Sequence, residues 1–236
     1  MPLFTILTLF PDALEPYLQV GVLGNAIERG IAEVRLVDFR DWSRDRHRTV
    51  DDRPFGGGPG MVLKPEPVVE CVEWLEERFG AHRRLALCPA GRPFVQSDAA
   101  ALAREERTLL LCGRYEGFDE RIFDELALEP ISIGDFVLAG GELPALCVVE
   151  ATVRLLPGTL GDERSAALDS FQAHGGLDHP HYTRPRSFRG REVPEVLFSG
   201  DHQRIEAWRR ERASERTRSR RPDLAPDSTD HNPKTA

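Results

Sequence analysis

Short apolar runs that alternate with longer segments of helical periodicity are the feature that most constrains the fold of this chain. Five runs have the length and composition of buried strands. They are Leu3–Leu9, Glu33–Phe39, Arg84–Cys88, Thr108–Cys112 and Glu129–Ile133. Because strands that alternate with helices usually lie side by side in the same direction, the pattern favours an α/β domain with a largely parallel sheet.

Segments with helical spacing lie between and after these runs. Pro65–Phe79 repeats apolar residues at helical intervals and begins with prolines, which suit a first turn. Ser97 is the predicted N-cap of a helix over Asp98–Arg104. The other predicted helices are Phe118–Leu126, Glu142–Leu156 and a segment capped by Asp201.

Charge is distributed unevenly along the chain. The formal net charge is −8 and the isoelectric point is about 5.5, which is unusual for a nucleic-acid binder. From His202 to Arg221, however, eight arginines stand against three glutamates. Ile205 and Trp208 are predicted to share one helix face, with the arginines on the other. An anionic partner is therefore not excluded, although a solvated face in an arginine-rich chain is the alternative.

Several classes of protein lose support from the sequence. The N-terminal apolar run has no basic segment before it, so it predicts a buried strand and not a signal peptide. No stretch approaches the roughly 18 apolar residues that a membrane span needs. Neither GxGxxG nor GxxxxGK[ST] occurs, which disfavours dinucleotide and nucleoside-triphosphate sites. Four cysteines without CxxC spacing are expected to be buried, reduced thiols of a cytoplasmic protein. They are Cys71, Cys88, Cys112 and Cys147.

Three of the predicted strands end in glycine-containing loops. In open α/β sheets, ligands bind beyond the carboxyl ends of the strands. Glycine lets the backbone approach a ligand because it has no Cβ. A tight turn is the alternative for each loop alone, but three such loops together predict a ligand site. The loops are Cys88-Pro-Ala-Gly91, Cys112-Gly-Arg-Tyr-Glu-Gly117 and Ile133-Gly-Asp-Phe-Val-Leu-Ala-Gly-Gly-Glu142.

Two further segments have unusual sequences. Asp45–Met61 combines alternating charges with a glycine-rich run, and it contains Phe55 and Met61, which are residue types that are usually buried. These features predict an ordered functional loop, with a solvated loop as the alternative. His179 and His181 flank a proline, and two histidines at this spacing are poor zinc ligands without further donors, so no metal site is predicted there.

Together with two short motifs farther along the chain, these segments resemble the sequence blocks of a known family. In chain order, the blocks are DRHRTVDDRPFGGGPGM, LCGRYEGFDER, SIGDFVLAGGELPA, LDSF and HPHYTRP. They resemble those of the bacterial tRNA (guanine-37-N1)-methyltransferases, which are S-adenosylmethionine enzymes of the SPOUT class. The matching blocks follow the family order from Thr8 to Leu224, and their combination is highly specific.

The resemblance implies more about the fold than periodicity does. It implies a SPOUT-type, largely parallel α/β sheet with a deep trefoil knot, plus a small helical C-terminal domain. The knotted, S-adenosylmethionine-binding catalytic domain is expected over residues 1–157, and a flexible interdomain linker over 158–176. A C-terminal tRNA-binding domain is expected over 177–221, and a disordered tail over 222–236.

The resemblance also implies a cofactor site at the three loops. S-adenosyl-L-methionine, the methyl donor, is expected to lie bent among them, with backbone groups contacting adenine and ribose and apolar walls holding the ring. Because the chain has Ala90 where the family often has Gln, and Phe136 where it often has Tyr, backbone contacts are expected at these positions. The implied cofactor-binding residues are Pro89, Gly91, Gly113, Tyr115, Glu116, Ile133, Gly134, Asp135, Phe136, Val137, Leu138, Gly140, Gly141 and Pro144.

Two catalytic residues follow from the resemblance. Methylation of guanine N1 requires the loss of a proton, and the family places the general base at the position of Asp169. Because loss of this proton shifts negative charge toward O6, a nearby cation stabilises the transition state, and the resemblance implies that Arg154 supplies it. Without the resemblance, Asp169 is one of many loop acids and Arg154 is an ordinary surface arginine.

The implied reaction transfers a methyl group to N1 of guanosine-37, next to the anticodon. The implied partners are tRNA that carries G36-G37 and a second copy of the chain, in a homodimer with composite active sites. Mg²⁺, a cytoplasmic location and no membrane association are also implied. Two alternatives stay open, namely a non-catalytic RNA-binding module with the same knot and a SPOUT enzyme that methylates a ribose hydroxyl.

Overall fold

The computed structural model of the protein describes residues 1–162, 168–172 and 175–225. The chain divides into two compact units, residues 1–163 and 164–236. The predicted linker at 158–176 and tail at 222–236 lie partly outside the described residues and stay predictions. In the described part of the chain, no helix is both long and apolar enough to cross a membrane.

Five parallel strands form the sheet of the first unit. The strands of this unit are β1 Leu3–Thr8, β2 Glu33–Asp38, β3 Asp51–Asp52, β4 Val62–Leu63, β5 Arg83–Pro93, β6 Arg107–Cys112 and β7 Glu129–Ser132. The sheet order is β2-β1-β6-β5-β7, and β3 pairs with β4 separately. The ends of the sheet strands agree with the predicted runs to within one residue, except that β5 continues to Pro93. The predicted parallel α/β architecture is confirmed.

Side chains of the sheet alternate between two apolar cores. In β1, Phe4 and Ile6 pack into one core, whereas Leu7 packs into the core on the opposite face. In β6, Leu110 packs into the same core as Phe4, whereas Leu109 packs into the same core as Leu7. Because both of their faces are buried, the central strands β1 and β6 are largely apolar, as is usual in parallel sheets, whereas the edge strand β2 is half-buried and includes charged residues.

Helices cover both faces of the sheet. They are α1 Pro11–Leu14, α2 Gly21–Glu28, α3 Pro65–Phe79, α4 Gln96–Leu102, α5 Arg121–Leu126 and α6 Glu142–Val153. Helices α2 and α6 pack into one core through residues such as Leu23 and Val149. Helices α3 and α5 pack into the other through residues such as Leu75 and Ile122. The bounds predicted for α3 are confirmed, and α6 ends three residues earlier than predicted.

Three helix starts differ from the sequence prediction. Helix α5 begins at Arg121, three residues after the predicted start at Phe118. Helix α4 begins at Gln96 after an N-cap at Val95, so the prediction of Ser97 as the N-cap is wrong. The Asp98 carboxylate accepts a hydrogen bond from the Val95 backbone N–H at 2.9 Å. This N–H group at the helix start therefore has a partner. Helix α2 was not predicted, because its sequence GVLGNAIE contains two glycines. The residue before it, Val20, has no side-chain oxygen that could cap the helix.

The four cysteines are free. Cys71 and Cys112 are buried, and burial raises the pKa of both thiols, which keeps them unreactive. Cys147 is exposed on α6. Cys88 is half-buried, so the expectation that all four are buried is wrong at Cys147 and only partly met at Cys88.

The second unit contains a short hairpin and one long helix. Its elements in the described residues are β8 Ser187–Phe188, β9 Arg191–Glu192, α7 His202–Arg220 and two short 3-10 helices over Glu195–Phe198 and Pro222–Leu224. Oδ1 of Asp201 accepts the backbone N–H groups of Gln203 and Arg204, each at 3.1 Å. The predicted N-cap at Asp201 is therefore confirmed.

The arginines of α7 lie on both of its faces. Arg209, Arg212 and Arg216 are half-buried at helical spacing from Ile205 and Trp208, so the prediction that all arginines lie opposite these two residues is wrong. Arginine tolerates this position because each guanidinium finds a partner. The partners are Glu206 for Arg209, Glu215 for Arg212, and the carbonyl oxygens of Asp178 and His179 for Arg216. The exposed arginines of the helix are Arg204, Arg210, Arg218 and Arg220.

Candidate active site

A cleft lies beyond the carboxyl ends of β5, β6 and β7. Its volume is about 360 Å³, which is within the usual range for small-molecule sites. Its walls come from three parts of the chain, within residues 87–89, 113–123 and 131–144. Because parallel sheets bind ligands at this edge, the cleft is the candidate active site.

The predicted cofactor-binding residues meet at this cleft, apart from Gly91 and Asp135. Asp135 is exposed to solvent and is not part of the wall. A Cβ at Gly91 would overlap the backbone of Ile131, so this glycine serves strand packing in the structure. The predicted residues that line the cleft are Pro89, Gly113, Tyr115, Glu116, Ile133, Gly134, Phe136, Val137, Leu138, Gly140, Gly141 and Pro144.

A bulge in β5 explains how the first loop reaches the cleft. Leu87 and Arg92 both pair with Ile131 of β7, so Cys88–Gly91 has no partner in this ladder. The chain leaves the ladder after Leu87 and places Pro89 in the cleft wall. It then returns to the same partner, and the close approach at the return requires glycine.

Gly141 joins the loops that follow β6 and β7. Its N–H donates to the carbonyl oxygen of Gly113 at 2.9 Å. A Cβ at Gly141 would lie 2.7 Å from Cys112 Cα, so no larger residue fits. Arg114 and Gly140 form an antiparallel bridge beside this contact. The two loops therefore make a continuous backbone wall.

Apolar side chains around the cleft are unusually exposed. Val137 is 84% exposed, Phe136 54% and Tyr115 53%. Tyr115 also has a φ of +59°, in the left-handed region that residues other than glycine rarely adopt. Backbone strain of this kind is concentrated at functional sites. We interpret these residues as a surface that a bound molecule covers.

A charged pair that the sequence reasoning missed lies behind the cleft wall. Glu142, at the start of α6, is only 5% exposed. Its Oε1 accepts hydrogen bonds from Thr8 Oγ1 at 2.8 Å and from Arg114 Nε at 3.1 Å. Its Oε2 forms an ion pair with Nη2 of Arg114 at 3.0 Å. The geometry of this contact does not meet the requirements of a hydrogen bond. Both residues lie in the quoted blocks, but nothing in their spacing predicts the pair.

The glycine-rich loop contacts the cleft through Glu116. The backbone N–H of Glu116 donates to the carbonyl oxygen of Met61 at 2.9 Å, and Gly60 packs against the Glu116 side chain. Phe55 is fully exposed although phenylalanine is usually buried, whereas Met61 is half-buried. The three glycines that follow it, Gly56, Gly57 and Gly58, all have a positive φ.

Comparison with known proteins identifies the family. Residues 3–227 match a family model described as tRNA (Guanine-1)-methyltransferase TrmD. The chain belongs to the TrmD family.

Three similar relatives are named tRNA (guanine-N(1)-)-methyltransferase, and each is 51% identical to this chain. The Bacillus subtilis (strain 168) protein matches over 94% of this chain and 91% of its own length. The Rhodopirellula baltica protein matches over 98% and 96%. The Bacillus licheniformis protein matches over 92% and 90%. The similarity to TrmD proteins therefore extends over both compact units.

The two predicted catalytic residues of this TrmD family member lie in different compact units. Arg154 follows the last residue of α6 in the first unit and is half-buried. Asp169 lies in a bend of the second unit and is half-buried, and its carbonyl oxygen accepts the Gln172 N–H at 3.4 Å. Their joint role in catalysis stays a prediction.

Asp178 joins the two histidines of the HPHYTRP block. One carboxylate oxygen lies 2.6 Å from His179 Nδ1 and the other 2.8 Å from His181 Nε2. These partners lower the pKa of the Asp178 carboxyl, against the opposing effect of burial. The separations are those of hydrogen bonds, and they are shorter than those between neighbouring ligands of a zinc ion. We therefore assign the cluster a structural role.

Proposed function

We propose that the protein transfers a methyl group from S-adenosyl-L-methionine to N1 of guanosine-37 in tRNA. The observation that carries the proposal is the cleft at the carboxyl ends of β5, β6 and β7, since it is built from the sequence blocks that the TrmD family shares. The names of the relatives, which match nearly the whole chain, support methylation of tRNA at N1 of guanine.

The residues of the cleft fit the cofactor. The backbone wall at Gly140 and Gly141 offers close contact to a flat ring, and Leu138 and Pro144 supply apolar surface. Glu116 and Glu120 give the lining negative charge, whereas the charge of Arg114 is neutralised by Glu142. This balance suits a positively charged sulfonium. When bound, the cofactor supplies the methyl group as an electrophile.

The chain's own residues supply the proton chemistry of the proposed mechanism. The Asp169 carboxylate accepts the N1 proton of guanine, and such general-base help is typically worth about 10²–10⁴ in rate. The Arg154 guanidinium stabilises the negative charge that develops on O6. Glu116 accepts hydrogen bonds from the polar end of the cofactor. The family resemblance implies a dependence on Mg²⁺, and loss of activity in EDTA tests it.

The second unit is proposed to bind the tRNA that carries G36-G37. The four exposed arginines of α7 support this role, since arginine binds phosphate and stacks on bases. We also propose a cytoplasmic location, which the four free cysteines support.

The active form is proposed to be a homodimer with composite sites. An exposed face of α6 supports this proposal, because Leu143 is 63% exposed and Cys147, one turn later, is also exposed. Exposed apolar residues in such a row are typical of subunit interfaces. The deep trefoil knot is proposed from the family resemblance, and the contact between Gly113 and Gly141 is compatible with it. A crystal structure tests both features.

Nucleoside analysis is the direct test of the proposed function. Unmodified tRNA with G at positions 36 and 37 is incubated with the protein and S-adenosylmethionine, then digested. We expect 1-methylguanosine at position 37, and tRNA with a different base at position 36 serves as the control. A ribose-methylated product would support the alternative SPOUT activity. Binding of tRNA without any methylated product would support the non-catalytic module.

A further inference from the structure

The pair formed by Arg114 and Glu142 is part of a closed ring of contacts. The Thr8 hydroxyl donates to Glu142 Oε1 at 2.8 Å and accepts the Phe10 N–H at 3.0 Å. The guanidinium of Arg114 stacks on the Phe10 ring, 4.4 Å from its centroid. Arg114 closes the ring by binding Glu142. Each polar group in the ring therefore restricts the next one.

Burial makes this ring sensitive to the loss of a member. The side chain of Glu142 is 6% exposed and that of Arg114 is 25% exposed. A buried carboxylate is strongly disfavoured unless cations and hydrogen-bond donors surround it. Arg114 and the Thr8 hydroxyl are the donors seen here, together with the favourable dipole at the start of α6. The carboxylate consequently holds both donors in fixed positions.

The ring connects elements that are distant in the chain and adjacent at the cleft. Thr8 ends β1, Arg114 follows β6 and Glu142 begins α6. Arg114 Nη1 also donates to the carbonyl oxygen of Ala139 at 3.3 Å, and both Arg114 and Ala139 line the cleft. The ring thus fixes the loop after β7 against the loop after β6 from behind the wall.

We infer that Thr8, Arg114 and Glu142 are positioning residues, which hold the loop of residues 133–141 in the shape that binds the methyl donor. The inference rests on the proposed function, because it takes S-adenosylmethionine as the ligand of the cleft. Thr8 and Glu142 are not part of the cleft wall. They set the affinity of the cleft for the cofactor and leave the chemical step to other groups.

A pair of substitutions at Thr8 tests the ring without changing charge. Thr8→Val keeps the shape of this fully buried residue and removes the hydroxyl, whereas Thr8→Ser keeps the hydroxyl. For Thr8→Val, we expect the KM and Kd for S-adenosylmethionine to rise about tenfold, which corresponds to about 1.4 kcal/mol. The kcat at saturating cofactor should change by less than about twofold. Thr8→Ser should restore the affinity.

Glu142→Gln tests the charge of the ring, with Glu76→Gln as a matched control. Glu76 also binds an arginine, Arg84, and its side chain is 16% exposed, but it lies on α3 outside the cleft wall. We expect Glu142→Gln to raise the Kd for S-adenosylmethionine by at least about tenfold. Glu76→Gln should leave this Kd unchanged, even where both variants lower the melting temperature.

The outcomes separate the inference from the proposed function. An unchanged Kd in Thr8→Val, or an equal rise in Glu142→Gln and Glu76→Gln, overturns the positioning role. If the unaltered protein binds S-adenosylmethionine in calorimetry but methylates no tRNA, the proposed reaction fails and the calorimetric comparison still decides the role of the ring. If the unaltered protein does not bind S-adenosylmethionine, both proposals fall.

Discussion

Asp169 carries the most demanding chemistry of the proposed reaction. Replacing it by Asn keeps its size and removes the basic oxygen, so Asp169→Asn should retain cofactor affinity and lose about 10²–10⁴ in the rate of methyl transfer. Single-turnover methylation with a saturating protein concentration measures this step. Near-normal methylation by Asp169→Asn would remove that residue from the mechanism.

Arg154→Ala should also slow the chemical step, and an effect on tRNA affinity alone would contradict its role.

His82 provides a pH prediction that is independent of the active site. Its side chain is fully buried, Nε2 lies 3.4 Å from Thr5 Oγ1, and burial is the main cause that lowers its pKa. The unfolded chain holds this proton more tightly, with a pKa of about 6.5. The contribution of neutral His82 to folding is therefore fully present above pH 6.5 and is lost as the pH falls from that value through the lower pKa of the folded state.

Urea unfolding between pH 7.5 and 5.5 measures this effect. The free energy of unfolding should fall less steeply with decreasing pH in His82→Gln than in the unaltered protein. His47→Gln, a substitution of an exposed histidine, is the control. Equal slopes for the unaltered protein and His82→Gln would contradict the prediction.

At this scale, the sequence predicts residue types better than side-chain pairs. The cleft glycines were predictable, because a backbone that approaches a ligand needs them in loops after strands. The Glu142 contacts were not, since Thr8 and Arg114 lie 134 and 28 residues away in the chain. Only the order of the strands makes the three residues neighbours.

Helix α7 gives a prediction at the scale of an element. Its exposed arginines, such as Arg204 and Arg220, are available for phosphate, whereas Arg212 is held by Glu215 at 2.5 Å. Replacing both exposed residues by Gln should lower the slope of log affinity for tRNA against log salt by about one per arginine. Arg212→Gln is the control and should change the slope much less. Equal changes would indicate that the ion pairs open on binding.

Elements were predictable where local pattern and tertiary environment agree. The prolines and apolar spacing of Pro65–Phe79 define α3, and the apolar runs define the strands. Helix α2 lacks a capping side chain and depends on packing of residues such as Leu23, so its sequence alone carries little signal. The extension of β5 to Pro93 depends on a bulge against β7, which no local pattern specifies.

Subunit mixing tests the proposed homodimer at the scale of the whole molecule. Leu138→Arg should block the cofactor cleft, which Leu138 lines while 41% exposed, and Asp169→Asn should block proton removal. If one chain supplies the cleft and its partner supplies Asp169, mixing the two inactive proteins should restore activity in one of the two sites of each mixed dimer. Each variant alone is the control. No recovery after verified subunit exchange would mean that both parts come from one chain.

The bulge of β5 has a consequence for how this protein tolerates change. The ladder with β7 resumes at Arg92 on the same partner, Ile131, that Leu87 already uses. The register of the sheet therefore depends on Gly91, which closely approaches the Ile131 backbone, but not on the exposed Ala90 beside it. Substitutions at Ala90 should alter the surface next to Pro89, which lines the cleft, and leave the pairing of β5 with β7 unchanged. Ala90 in this bulge is thus a position that can vary while the pairing of β5 with β7 stays the same.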